Sequence, residues 1–262
     1  MQIARFSLAA LLALALAAPA SAQDEAPPDA PEAPEEKGWT GKVSLGGNLS
    51  SGTTDSFGGA VDVGAERTWG KHEVKLGAFL SYGRTNSPGA RAVTQTNEQR
   101  LTQYYSYSPT ERFYWYGNLE QARDTVRNIE LRLFANTGPG YRIWHVDDLN
   151  QLDGELGIGY RYEDYGGIRT VGREPSRNDV NGRAAFTFLR TLGIAQFGQT
   201  GEFLLPFNDT GGWIARGKTT LSFPLVAGWA FENALQMEYF NDPPSGSKSF
   251  ELDYIVSLVN AF

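Results

Sequence analysis

Apolar and polar side chains alternate along most of the chain after residue 38. The alternation is clearest near the C-terminus, where every second residue from Phe250 to Leu258 is apolar or aromatic and the last residue is Phe262. A period of two is the pattern of a β-strand whose two faces meet different surroundings. Segments of this kind predict about twelve strands, and in the sixth of them Ile129 and Leu131 share the apolar face.

The lengths of these segments and of the links between them indicate the class of β-protein. Most predicted strands are roughly 11–14 residues long, longer than the ~5–6 residues usual in globular proteins and enough to cross a bilayer at a tilt. Tight turns at 69–70 and 191–193 alternate with longer links at 85–93 and 166–177, although 144–151 is long for the short-turn side. Short turns on one side and longer loops on the other are typical of outer-membrane barrels. The sequence therefore predicts an all-β fold, a transmembrane antiparallel up-and-down β-barrel of about 12 strands.

The N-terminal part of the chain departs from this pattern. A positive residue precedes an apolar run over 6–18, and Ala20-Ser21-Ala22 has the form of a cleavage site, so residues 1–22 predict a cleaved signal peptide. Residues 23–37 are rich in Pro and acidic residues and contain no aromatic residue, which predicts a disordered periplasmic tail. Most of the formal charge of −7 belongs to this tail. Residues 38–262 form the predicted barrel.

Composition and motifs exclude several classes of protein. The chain has no Cys and therefore no disulfide, and no basic stripe points to nucleic acid. No later stretch approaches the ~18 apolar residues of a membrane helix. Gly157 and Gly159 are not followed by a predicted helix, so they do not form a dinucleotide fingerprint. Asp147, Asp148 and Asp153 lack the loop of alternating ligands that Ca²⁺ sites use. We expect neither a cofactor nor a metal.

An enzyme acting on envelope lipid is the first alternative class. Barrel enzymes of this kind resemble one another in using a His with Ser, Asn or Asp near the outer leaflet, because a His can act as a general base near neutral pH. The chain has only two His residues, His72 and His145, and both fall at predicted periplasmic strand ends. We therefore expect no enzymatic activity. A binding or adhesion barrel that uses loops 85–93 and 166–177 is the other alternative.

The polar face of the predicted strands carries charges of both signs. Such charges can line a wet pore, or they can pair across it and plug it. A barrel of ~8 strands is filled by side chains and one of ~16 leaves a channel. A barrel of twelve strands is therefore compatible with three alternatives: a narrow solute path, a structural network of charges, and a specific ligand site. The candidate lumen-lining residues are Arg100, Glu120, Glu130, Arg132, Glu155, Arg161, Glu163, Arg183, Arg216, Lys218 and Glu232.

The apolar face carries two further signals. Aromatic rings with a polar edge collect at membrane interfaces, and the Trp residues fall near predicted strand ends. We interpret Trp39, Trp69, Trp115, Trp144, Trp213 and Trp229 as an interface girdle. A terminal aromatic residue closing an alternating strand resembles the insertion signal of bacterial outer-membrane barrels. That signal comprises Tyr254, Val256, Leu258 and Phe262.

Short motifs also resemble a known family. Gly38-Trp39-Thr40-Gly41, Ser50-Ser51-Gly52, Glu111-Arg112-Phe113 and the run from Gly157 to Glu163 are similar to the salt-induced outer-membrane protein family, whose function is unknown. The resemblance covers about residues 38–262. It implies an outer-membrane β-barrel and no assigned reaction.

These observations together predict where the protein acts better than what it does. We expect export through a cleaved signal peptide to the cell outer membrane and a porin-like narrow passive channel or an envelope-structural barrel. The family resemblance adds a link to salt or osmotic stress. Expected partners are outer-membrane lipid and lipopolysaccharide, with the barrel-assembly machinery binding the C-terminal strand. We expect a monomer that binds no nucleic acid.

Overall fold

A computed structural model describes residues 38–51, 56–85, 93–165, 176–243 and 248–262. These residues form twelve strands and a short 3₁₀ helix, Thr210–Gly212. The strands are β1 (Thr40–Ser51), β2 (Ser56–Trp69), β3 (His72–Thr85), β4 (Val93–Tyr107), β5 (Phe113–Asp124), β6 (Ile129–Asp147), β7 (Asn150–Asp164), β8 (Ser176–Leu192), β9 (Ala195–Pro206), β10 (Ile214–Pro224), β11 (Trp229–Phe240) and β12 (Phe250–Ala261). Among the described residues no helix is long and apolar enough to span a bilayer.

Every strand pairs antiparallel with its neighbours in sequence, and β1 pairs with β12 to close the barrel. The predicted fold class is therefore confirmed. Because the number of strands is even, β1 begins and β12 ends at the same end of the barrel. We call this the turn end, because its links are short, and we call the opposite end the loop end. The turn-end links are 70–71, 108–112, 148–149, 193–194 and 225–228.

The barrel buries polar residues and exposes apolar ones. Arg161 and Glu163 are each 3% exposed, whereas Leu156 and Ile158 on the same strand are 66% and 54% exposed. In a soluble barrel the apolar face would fill the interior. The inverted arrangement suits a barrel with lipid outside, since alternate side chains then meet hydrocarbon and lumen.

The link predicted over 144–151 is much shorter than the sequence suggested. β6 continues to Asp147 and β7 begins at Asn150. Asp147 Oδ1 accepts hydrogen bonds from the backbone N–H of Leu149 at 2.8 Å and from Nδ2 of Asn150 at 3.0 Å, which stabilises a tight turn. The prediction was wrong because register shifts at 142–144 and 145–147 interrupt the alternation by which the strand was recognised.

A second irregularity separates Ile129 from Leu131. Both were predicted on the apolar face, but Ile129 is 1% exposed and Leu131 is 41% exposed. The pairing of β5 with β6 shifts register between Ala122 and Asp124, at the level of Ile129. A bulge of this kind turns the side chains before it to the other face.

The seam between β1 and β12 depends on a close backbone approach. Gly46 pairs with Ser257, and a Cβ added to Gly46 would overlap the carbonyl oxygen of Val256 and lie 2.7 Å from the Cβ of Ser257. Further along the seam, the N–H of Gly41 donates to the carbonyl of Phe262 at 2.7 Å. The last residue of the chain therefore extends the pairing that closes the barrel.

Candidate functional site: the lumen

A polar cavity of about 430 Å³ lies inside the barrel. Along β4 its lining runs from Glu98 to Ser106, and these eight residue steps correspond to about 26 Å of strand. Arg183 on β8 and Glu251 on β12 line it from other sides. The cavity therefore follows much of the lumen from the turn end towards the loop end.

A second cavity of about 660 Å³ lies at the turn end. It is lined by β1 to β3, by the β4–β5 and β6–β7 links, and by the end of β6, including His145. Glu73 and Arg142 line this cavity and also the lumen cavity. The two cavities therefore adjoin, and the turn-end cavity forms a vestibule to the lumen.

Ion pairs cross the lumen beside the cavity. Arg216 on β10 donates from Nη1 to Glu120 on β5 at 2.9 Å, and its Nη2 lies 2.8 Å from Glu202 on β9. β5 and β10 are five strands apart in the ring of twelve, so this pair joins opposite walls. Arg183 links Glu202 to Glu155, at 2.7 Å from the latter. We call this connected set the ion-pair lattice.

The lattice continues towards the loop end through Glu238. Its carboxylate lies 3.9 Å from Arg216 and 3.7 Å from Arg132, and Arg132 Nε donates to Glu163 at 2.7 Å. Arg161 and Asp179 form a further pair in the same part of the lumen. A charged pair this deeply buried is favourable only when its partners are close and hydrogen-bonded, as Arg132 and Glu163 are.

Aromatic rings support the lattice from within the lumen. Phe134, Leu204, Ile214 and Phe240 form a buried apolar cluster. The guanidinium of Arg216 lies 4.6 Å from the centre of the Phe134 ring, and that of Arg132 lies 5.2 Å from the Phe240 ring. A cation over an aromatic face is stabilised by the ring quadrupole. These side chains therefore fill part of the lumen on this side of the barrel.

Glu155 is held by groups from three other strands. Its Oε1 accepts hydrogen bonds from Tyr104 at 2.9 Å and from Tyr114 at 3.1 Å, while its Oε2 accepts from Arg183 at 2.7 Å. Tyr104 also stacks on Tyr116, with ring centres 6.1 Å apart. The carboxylate is therefore fixed in orientation on the wall of the cavity.

Arg127 lies in the β5–β6 link at the loop end, and its side chain points into the lumen. Nη1 donates to Glu238 at 2.9 Å, Nη2 lies 3.8 Å from Glu251, and Nε lies 3.2 Å from Asp124. Burial by itself would lower the pKa of the Arg127 guanidinium, but Glu238 and Asp124 raise it above its ordinary value. The side chain therefore stays charged.

The structure places the sequence candidates in three surroundings. Those that line the lumen cavity are Arg100, Glu155, Arg183, Arg216 and Lys218. Those described above only in ion pairs are Glu120, Arg132, Arg161 and Glu163. Glu232 accepts a hydrogen bond from Ser222 at 3.0 Å, and Glu130 forms an exposed pair with Arg123. Their role in lining a conducting path stays a prediction.

The membrane-facing candidates lie on exposed or half-buried parts of the strands. Trp39, Trp115, Trp229, Tyr254, Leu258 and Phe262 are exposed, and Trp69, Trp144, Trp213 and Val256 are half-buried. Trp213 stacks on Tyr239, with ring centres 5.0 Å apart. Their roles as girdle and insertion signal stay predictions.

Several lumen residues were missed by the sequence reasoning. Glu202 and Glu238 fall in the polar register of their strands, so extending the candidate list along that register would have found them. Phe134 lies between Arg132 and Asn136 in the same register, but only charged residues were chosen as candidates for the lumen. Arg127 was missed because the sixth predicted strand began at residue 127 and placed Arg127 in the register of Ile129 and Leu131, on the apolar face. In the structure Arg127 lies in the β5–β6 link.

Both His residues lie at the turn end of the barrel. His72 Nδ1 is hydrogen-bonded to the hydroxyl of Tyr105 at 2.8 Å, and its ring stacks on Trp69. His145 lies near the turn end and lines the vestibule. Within the described ranges, no group of His, Asp and Glu side chains is arranged to hold a metal ion.

A family model described as a protein of unknown function, DUF481, matches residues 43–262. The chain belongs to the DUF481 family. The match covers every strand of the barrel apart from the first residues of β1, so the resemblance inferred from the motifs of the sequence is confirmed at the level of an uncharacterised barrel family. None of the curated proteins compared with the chain by sequence matches it significantly.

Solved structures share the fold of this DUF481 protein at low sequence identity. An outer membrane channel from Pseudomonas putida F1 is 9% identical with a TM-score of 0.51, and the alignment covers 91% of this chain and 100% of that one. The translocator domain of the autotransporter NalP from Neisseria meningitidis is 12% identical with a TM-score of 0.51, over 86% and 89% of the two chains. The DUF481 chain therefore has the fold of outer-membrane β-barrels.

Proposed function

We propose that the protein is a narrow, porin-like passive channel for small ions or solutes in the outer membrane. The observation that carries this proposal is the polar cavity, which follows the lumen along β4 and adjoins the vestibule at the turn end. A lumen filled only by packed side chains would leave no such cavity along this wall. The barrel fold shared with an outer membrane channel is consistent with it.

The ion-pair lattice limits the width of the proposed path. It ties β5 and β6 to β10 and β11, and the buried rings of Phe134 and Phe240 fill the space beside it. The remaining space lies beside β3, β4 and β12, where Glu98, Arg100 and Asp253 line the cavity. We therefore expect small unitary conductances, well below those of wide trimeric porins.

Single-channel recording in planar bilayers tests the proposal. Residues 23–262 should give steady, salt-dependent current steps. Lys218 lines the cavity, and no carboxylate of the described residues lies within ion-pair distance of it, so Lys218→Glu should shift the reversal potential towards cations by about a twofold change in permeability ratio. Arg190→Glu is the matched control, since Arg190 is exposed and packs on Trp144. Equal shifts in both variants would contradict a path at Lys218.

An envelope-structural barrel is the second candidate function. It is favoured by the cross-lumen pairs, since Arg216 and Glu120 brace opposite walls. The same recordings separate the two functions. A folded barrel that stays silent at all voltages and in all variants would favour the structural role.

We further propose export through cleavage of residues 1–22, insertion as a monomer through recognition of β12 by the barrel-assembly machinery, and contact with lipopolysaccharide. The predicted signal peptide and tail, residues 1–37, and most of loops 85–93 and 166–177 lie outside the described residues.

The link to salt or osmotic stress is also a proposal, supported by the family resemblance. Growth of a deletion strain that is indistinguishable from the parent at high and low salt would contradict that link.

We also propose that the protein is not an enzyme. His72 is engaged by Tyr105 and Trp69 at the turn end, away from the position of an outer-leaflet substrate. Replacing His72 and His145 together with Ala should leave the envelope lipid profile unchanged. A changed profile in the double variant, with normal amounts of folded barrel, would support the enzyme alternative.

A further inference from the structure

The side chain of Arg127 bridges the loop end of the lumen cavity. Arg127 lies between β5 and β6, and its partners Glu238 and Glu251 lie on β11 and β12. β6 and β11 are five strands apart on one side of the ring, and β5 and β12 are five apart on the other. The ion pairs of Arg127 therefore join nearly opposite walls of the barrel, and all three residues line the cavity.

The surroundings of Arg127 are mainly acidic. Its guanidinium is within ion-pair distance of Asp124, Glu238 and Glu251. The carboxylate of Asp124 is anchored because its Oδ1 accepts hydrogen bonds from the backbone N–H groups of Val126 and Arg127. Glu98 and Asp253 line the same part of the cavity. The other cations nearby already have partners. Arg100 pairs with Glu98, and Arg132 pairs with Glu163.

We propose that Arg127 is the residue that sets the width and the ion selectivity of the lumen path at its loop end. Its guanidinium acts as a tethered cation that occupies the space between the carboxylates of Asp124, Glu238 and Glu251. While it is there, it narrows the path and neutralises the acidic ring. Without it, Asp124, Glu238 and Glu251 each lose one cationic partner, although Glu238 still lies near Arg132 and Arg216. The net charge of the constriction then becomes more negative and attracts mobile cations. This inference rests on the proposed channel function and adds a determinant of its selectivity.

The neutral variant Arg127→Gln tests the proposal in planar bilayers. It should raise the unitary conductance and shift the K⁺ to Cl⁻ permeability ratio towards K⁺, each by about twofold or more. Arg127→Lys retains the positive charge and should keep the selectivity of the wild type. If Arg127→Lys shifts selectivity as far as Arg127→Gln does, the charge is not the cause and the proposal is overturned.

Two further variants are needed: a matched control, and a variant that should change the selectivity in the opposite direction. Arg123→Gln makes the same chemical change four residues earlier, in an exposed pair with Glu130 outside the cavity, and should leave conduction unchanged. Glu251→Gln removes one carboxylate while Arg127 stays in place, so it should shift selectivity towards Cl⁻. This variant tests the proposal even if Arg127→Gln does not fold, and heat-modifiable gel migration reports folding for each variant.

The outcomes separate this inference from the channel proposal. A conducting wild type with an unchanged Arg127→Gln variant overturns the role of Arg127 and leaves the channel in place. A silent wild type with a conducting Arg127→Gln variant supports the role of Arg127 and shows that it holds the path closed. If every folded variant is silent, both proposals are overturned.

Discussion

At the scale of single residues, charged side chains are buried inside this barrel, in the position that apolar side chains occupy in the core of a soluble protein. Arg161, Glu163 and Asp179 are each less than 5% exposed and all are engaged in ion pairs. A buried charge without a partner would be strongly unfavourable, so each residue depends on the one opposite it. The lumen is therefore held by specific pairs, and a single substitution removes more than one contact.

The pair of Glu163 with Arg132 gives a direct test of this dependence. Glu163→Gln keeps the shape of the side chain but weakens the bonds from Arg132 and from the Tyr165 hydroxyl, so we expect a loss of about 2–3 kcal/mol in the free energy of unfolding. Glu130→Gln is the control, because its pair with Arg123 is exposed and should contribute less than about 1 kcal/mol. Urea unfolding in lipid vesicles measures both. If Glu163→Gln and Glu130→Gln lowered the free energy of unfolding equally, the idea that burial strengthens the Glu163 ion pair would be contradicted.

At the scale of elements, the strands obey the alternation of the sequence except where bulges interrupt it. β6 is the longest strand, and register shifts occur at both of its ends. Those shifts explain why Ile129 faces inward and why the 148–149 turn was hidden in the sequence. The strand boundaries elsewhere were predicted closely, because a period of two persists over many residues and needs no knowledge of the partner strand.

The pairing of β1 with β12 closes the barrel. A substitution at Gly46 tests the close backbone approach between these two strands. Gly46→Ala would press a methyl group against the backbone of Val256, so we expect a loss of about 1–3 kcal/mol in stability. Gly117→Ala on β5 is the matched control, because a Cβ there meets nothing within 4 Å and the change should be neutral or slightly stabilising. Unfolding midpoints of the two variants in lipid would show the difference. A Gly46→Ala variant as stable as Gly117→Ala would contradict the close approach.

At the scale of the whole molecule, closure of the sheet removes both free strand edges. Every strand has two hydrogen-bonded neighbours, so unfolding must break the ring rather than fray it from an edge. The cross-lumen pairs of Arg216 and Arg127 add connections between walls that share no backbone hydrogen bonds. The same ion pairs therefore affect both the stability of the barrel and the width of its lumen.

Closure of the sheet and the cross-lumen ion pairs together predict how the folded barrel migrates on SDS gels. The folded protein should resist SDS without heating and migrate differently from the boiled chain, because a closed barrel stays compact in detergent. Arg216→Gln, which loses the contacts with Glu120 and Glu202, should lower the temperature at which the folded band disappears. Identical migration of boiled and unboiled wild type would contradict a membrane barrel.

The sequence by itself determined the class of fold, the number of strands and the face that each strand presents. It could do so because alternation is a local property: Leu156 and Ile158 against Glu155 and Arg161 can be recognised without any partner strand. It also determined that the lumen carries charges of both signs, and several of those candidates, such as Arg183 and Arg216, do line the cavity.

Only the tertiary structure decided which charges pair and where space remains. Glu120 and Arg216 are 96 positions apart, and Arg127 and Glu238 are 111 apart, so their contact depends on closure of the ring and on the stagger of its strands. The alternation of apolar and polar residues within one strand gives no information about how the strands are staggered relative to one another. For the same physical reason the alternation placed Arg127 with Ile129 and Leu131 on the apolar face, whereas in the structure it lies in the β5–β6 link and lines the lumen.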